Sequence, residues 1–208
     1  MDYSKNLETD QYLVPAKKLQ SEIKVKGSRF ICNVIPCLDS EDAEREYAKL
    51  KKKYYDATHN CFAWRIDDLS WRYSDDGEPS GTAGKPILQS IDGSNFKEVL
   101  CVVTRYFGGT KLGTGGLIRA YAEATSQALA KVRPKIKTAW AEVEITFAYA
   151  LENLVRKTLS EFKGRLNGSL YDDSVRMKLA LPQSLLKDFC TKLSELSNSQ
   201  INIINSEK

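Results

Sequence analysis

The stretch from residue 99 to 125, VLCVVTRYFGGTKLGTGGLIRAYAEAT, constrains this chain more than any other. It opens with five apolar residues, Val99 to Val103, three of them β-branched, the pattern of a buried strand. Arg105 breaks the run where the strand emerges. Five glycines follow in nine residues: Gly108, Gly109, Gly113, Gly115 and Gly116. Glycine costs little where the backbone needs φ > 0 or passes close to another group. The spacing then turns helical, with Leu117, Tyr121, Ala124, Ala128 and Val132 on one face. Strand, glycine loop and helix in succession leave backbone N–H groups free at the helix start, where an anion is favoured. Neither nucleotide fingerprint fits. Thr114 follows Gly113 where a P-loop needs lysine, and Ile118 stands where the dinucleotide pattern needs its third glycine. A tight turn that packs a helix on a sheet is the equal alternative.

A second unusual segment precedes it, Ser74 to Pro86. Asp75, Asp76 and Glu78 put three carboxylates in four positions, a set that could hold Mg²⁺ through water; the alternative is an acidic turn whose side chains cap nearby backbone. His59, the one histidine, opens an apolar strand reading His59 to Arg65. Alternation gives strands at 20–25 and 29–36, joined by the turn Lys26-Gly27-Ser28, and at 71–73. A helix follows Asp39 or Ser40, with acids in its first turn and Lys51, Lys52 and Lys53 in its last, a charge order that suits the macrodipole. A shorter helix is expected over 82–90.

The chain of 208 residues carries a net charge of +4. Residues 1–137 hold 22 Lys+Arg against 18 Asp+Glu, and residues 138–208 nine of each, so a polyanion would favour the first segment. The five cysteines form no C-x-x-C pair and sit mostly in apolar runs, as thiols of a reducing cytosol do; one histidine makes a zinc site improbable. Apolar runs of about five residues exclude a transmembrane helix. Residues 1–16 read as a loose leader, 17–134 as a first domain, the basic stretch after Pro134 as a linker, and 138–208 as a second domain. Its order, strand 140–150, helix 151–162, strands 164–171 and 174–181, helix from Pro182, strand 201–204, is the ferredoxin-like βαββαβ arrangement.

The segments Asp75–Leu88 and Val102–Tyr121, with His59–Ala63, resemble the signature of the YigZ/IMPACT family, and the order of elements is similar to its bacterial two-domain branch. The resemblance implies an α+β chain of two domains. The first is similar to domain 2 of ribosomal protein S5, and the second to the ferredoxin-like C-terminal domain of elongation factor EF-G. It also implies a cytoplasmic, translation-linked role. Eukaryotic relatives compete for the scaffold of an initiation-factor kinase. Residues 1–16 are too short for the module that engages it, so that role is not expected to carry over.

Three functions compete. The first is a non-catalytic binder of RNA or ribosome, with Lys85, Arg105, Lys111, Arg119 and the glycine amides on phosphates and Tyr106, Phe107 or Trp64 free to stack on bases. Arg105 has the alternative of a salt bridge to Asp75, Asp76 or Glu78. The second is an enzyme or binder of a phosphorylated small molecule or nucleotide, with Mg²⁺ on the carboxylates and His59 as general base, although no nucleophile–base pair is recognisable. The third is an adaptor that docks a protein of the translation machinery through residues 138–208.

Overall fold

The computed structural model describes residues 7–205. They divide into two compact units, one of residues 12–137 and one of residues 7–11 with 138–205. In chain order the first unit contains β1 (Gln11–Pro15), β2 (Leu19–Val25), β3 (Ser28–Pro36), α1 (Ser40–Lys53), β4 (His59–Arg65), β5 (Trp71–Ser74), α2 (Gly84–Gly93), β6 (Val99–Tyr106), α3 (Thr114–Lys131) and β7 (Pro134–Thr138). Its five-stranded sheet runs β2-β3-β6-β4-β5, with every neighbour antiparallel.

The apolar run at Val99 becomes the central strand because it is covered on both faces. On one face α1 sets Ala43 and half-buried Tyr47 and Leu50 against Ile35, Phe62, Trp64, Leu100 and Val102. On the other, α3 lies against β2 and β3 and α2 against β4 and β5, and Tyr121 meets Phe30 edge-on with ring centroids 5.2 Å apart. Asp39 caps α1 by accepting from the Asp42 N–H at 2.7 Å. Lys51 of the lysine triplet pairs with Asp76 at 2.9 Å. Lys26 and Gly27 turn the β2–β3 hairpin with φ of 46° and 84°, the signs a two-residue type I′ turn needs.

The second unit contains β8 (Trp140–Phe147), α4 (Glu152–Glu161), β9 (Arg165–Tyr171), β10 (Val175–Pro182), α5 (Leu186–Leu196) and β11 (Asn202–Asn205). Its sheet order is β11-β8-β10-β9, all antiparallel, so β10 sits between the two strands joined by α4. The alternating residues Val143, Ile145 and Phe147, and Val175, Met177, Leu179 and Leu181, bury one face against Val155, Leu159, Phe189 and Leu193 of the helices. This is the ferredoxin-like arrangement, and the chain is a two-domain α+β protein.

Two expectations are corrected. The leader is not loose over its described part: Gln11–Pro15 pairs with β7 as a two-stranded sheet, and the Asp10 carboxylate accepts from the N–H and hydroxyl of Ser184 at 2.8 and 2.6 Å. Residues 1–6 lie outside the described residues. The basic linker after Pro134 is β7 itself, Pro134–Thr138, whose backbone partner is too distant in sequence for local charge to reveal. No helix among the described residues is long and apolar enough to cross a membrane.

Candidate functional site

The site is built where β6 gives way to the glycine loop. Arg105, at the end of β6, sits on the face covered by α2 and α3 and is only 5% exposed. Its guanidinium donates to the Glu78 carboxylate at 2.6 Å and lies 5.5 and 5.6 Å from the ring centroids of Phe30 and Phe107. Glu78 also accepts from the Tyr121 hydroxyl at 2.7 Å. The Cys61 thiol lies 2.9 Å from the Asp75 carbonyl and 3.4 Å from the Tyr121 hydroxyl. The His59 Nδ1–H donates to the Asp76 carbonyl at 2.8 Å, leaving Nε2 3.8 Å from Glu78. The Asp75–Glu78 turn and the Arg105 loop therefore meet through a buried ion pair. Charges taken this far from water hold their place only when paired and hydrogen-bonded.

The structure decides between readings that the sequence left open. Arg105 takes the salt bridge, to Glu78, in place of a phosphate at this position. Asp75, Asp76 and Glu78 form the turn whose side chains bind nearby groups in place of a magnesium cluster, each carboxylate serving different donors. Asp75 accepts from the N–H groups of Gly81, Ala83 and Gly84, at 2.9, 3.0 and 2.8 Å, and so closes the start of α2. Asp76 accepts from the Asn60 N–H at 2.7 Å and from Lys51. Among the described residues no group of three or more His, Cys, Asp or Glu side chains could hold a metal ion. Burial pushes the Cys61 thiol and the Tyr121 hydroxyl well above their ordinary pKa values, so neither ionises readily near neutrality.

The remaining basic residues stay outside. Phe107 N–H donates to the Thr58 hydroxyl at 3.0 Å and Gly108 N–H to the Ser28 hydroxyl at 3.1 Å. A Cβ on Gly108 would come within 1.9 Å of the Gly27 carbonyl carbon, so the loop start is seated directly on the β2–β3 turn. Beyond it the chain is exposed through Gly109, Lys111, Gly113 and Gly115, with Gly116 half-buried. Gly113 starts α3 with φ of 70°, and no side chain caps the helix. Arg119 lies one turn on, its Nη1 3.7 Å from where a Gly115 Cβ would stand. Lys85, Lys111 and Arg119 are exposed and form no hydrogen bond or ion pair among the described residues. The structure thus places Lys111 in the loop that leads into α3, Arg119 beside Gly115 on α3, and Lys85 in the first turn of α2.

Sequence reasoning missed Tyr121 and Cys61 as members of the buried network. The legible signal was a tyrosine on an otherwise apolar helix face, where a buried hydroxyl needs a partner. It also missed an open groove of about 390 Å³ between α1 and the β2–β3 hairpin, lined by Lys18, Gln20, Asn33, Lys49 and Lys53 among others. Asn33 Nδ2 is buried there without a partner.

Fold and site together define a class: a two-domain α+β protein whose first domain holds an exposed, uncapped glycine loop braced by a buried Arg–Glu pair. The comparisons with known proteins narrow it. The family described as "Impact N-terminal domain" matches residues 26–129, and the one described as "Domain of unknown function (DUF1949)" matches residues 145–200. The chain is 34% identical over 197 residues to an "IMPACT family member" of Haemophilus influenzae, covering 93% of this chain and 96% of that protein. It is 33% identical over 203 residues to the "IMPACT family member YigZ" of Escherichia coli, covering 96% of this chain and 100% of that protein. A solved structure described as "Crystal structure of an hypothetical protein" is similar at a TM-score of 0.63 and 33% identity, covering 97% of this chain and 100% of that one. The chain belongs to the IMPACT family.

Proposed function

We propose that this chain is a non-catalytic, translation-linked regulatory protein that grips the phosphates of RNA, free or in the ribosome, with its glycine loop. The observation that carries the reading is the start of α3. An 18-residue helix begins in an exposed glycine loop with no side-chain cap, and Lys111 and Arg119 stand beside it unpaired. The orphan N–H groups and the positive end of the helix dipole suit an anion, and the two cations add charge without sequence preference. The translation link comes from the family resemblance. Residues 1–137 also carry the whole of the chain's net charge of +4.

The test is binding of a labelled single-stranded RNA at several salt concentrations, to the wild type and to Lys111→Ala/Arg119→Ala. Affinity is expected to fall with salt, and removing two phosphate contacts should lower the log–log slope by about 1.4. Affinity that ignores both salt and the double substitution contradicts the reading.

A further inference from the structure

The geometry points to a base-stacking platform for single-stranded RNA on β5, formed by Trp71 and Tyr73. This rests on the RNA reading above and adds where the bases go. β5 is an edge strand of the five-stranded sheet. Alternation sends Trp71 and Tyr73 to one face and Arg72 to the other, where it pairs with Glu44 of α1 at 2.9 Å. The two rings are within 2° of parallel, with centroids 6.4 Å apart. Trp71 is 48% exposed and Tyr73 39%. Neither the indole N–H nor the phenol has a hydrogen-bond partner among the described residues.

The stacking candidates read from the sequence are placed differently. Trp64 is buried, and its N–H donates to Glu44. Tyr106 is tied to Asp56 at 2.8 Å and lies under Arg29. Phe107 is engaged by Arg105. Trp71 and Tyr73 alone among these are parallel and stacked with one another, exposed at 48% and 39%, with no cation over either ring among the described residues. Two such faces suit consecutive bases of an unpaired strand, since every base has a π-face and no hydrogen-bond code is needed.

Charge selects the occupant. A Cβ on Gly84 would come within 2.7 Å of the Ser74 carbonyl oxygen, so α2 starts hard against the end of β5. Lys85 is the next residue, exposed and unpaired, placed for the phosphates of a strand lying on the rings. Asp75 already fills the start of α2, so Lys85 rather than the helix end supplies the attraction there. The register puts Trp71 opposite Arg65 and Tyr73 opposite Ala63 on β4, and Arg105 opposite His59. Platform and glycine loop therefore lie toward opposite ends of β4, about 20 Å apart at six residues of strand, a span that a strand of several nucleotides covers. An apolar peptide would gain nothing from Lys85 and would find only four residues of edge.

The experiment measures affinity for a short oligouridylate and for an abasic strand of equal length at one salt concentration. The proteins are the wild type, Trp71→Ala/Tyr73→Ala, Trp71→Phe/Tyr73→Phe and Lys111→Ala/Arg119→Ala. The wild type should prefer the base-bearing strand by about tenfold. The alanine pair should lose that preference while keeping wild-type affinity for the abasic strand, and the phenylalanine pair should restore it. Trp71 emission should be quenched by the base-bearing strand only. Equal wild-type affinity for both strands, or an alanine pair that weakens both alike, overturns the platform and leaves the glycine loop standing. Failure of the wild type to bind either strand sinks both.

Discussion

Burial decides what a charged residue does, and Arg105 is the clearest case. In the sequence it stands at a strand end before a glycine loop, where a cation suits a phosphate. In the fold it is enclosed, and its role is to hold Glu78, Phe30 and Phe107 in one arrangement. The sequence offered that salt bridge as an alternative, but with the partner 27 positions away local spacing could not choose it. Removing the charge of Glu78 strands a buried guanidinium, so Glu78→Gln should cost about 3 kcal/mol, read as a lower urea midpoint. A midpoint unchanged by Glu78→Gln would mean that the pair is solvated. Asn33 is the uncharged case. Its Nδ2, like the Arg105 Nε, is buried with no partner, a cost that an apolar residue removes. Asn33→Leu should therefore raise the urea midpoint, by about 1 kcal/mol of stability; a loss of that size would show the amide to be satisfied in solution.

At the scale of elements, most of the fold was legible. The continuous apolar run of β6 marked a central strand, the acids and lysines of α1 marked its ends, and the alternation of β8 and β10 marked a sheet with one buried face. What was not legible were β1 and β7, short strands whose pairing joins chain more than a hundred residues apart. Lys135 and Lys137 disguised β7 as a linker. The carboxylates of the Asp75–Glu78 turn were legible as a backbone-capping turn or as metal ligands, since both want the same oxygen, and the fold shows the cap. The cap makes its own prediction. Asp75→Ala leaves three N–H groups at the start of α2 without their acceptor and should cost about 2 kcal/mol, with faster hydrogen exchange at Ala83 and Gly84. Asp75→Asn keeps an acceptor and should lose much less. Equal losses would mean that the charge, and not the cap, matters.

For the whole molecule, the two units divide charge as well as chain. Residues 1–137 hold the net charge of +4 and the exposed loop, and residues 138–208 balance at nine basic and nine acidic side chains. A polyanion should therefore be met by the first unit, and the resemblance to known IMPACT family members extends over both. Several buried acids oppose alkali. Burial pushes the Cys37 thiol from its ordinary 9.0 to about 12. Such a group stabilises the fold fully below the unfolded value and loses that contribution as pH climbs through the folded one. Urea midpoints should accordingly be level from neutral pH to about 9 and decline above it; a midpoint that rises with alkali would contradict the burial. The most direct measurement of the phosphate grip is a backbone amide titration by nuclear magnetic resonance with a short single-stranded RNA. The amides of Gly109, Gly113, Gly115 and Gly116 should shift together with saturation, and their shifts should fade in Lys111→Ala/Arg119→Ala. Shifts confined to residues 138–205, with the glycine amides still, would contradict it and move the contact to the second unit.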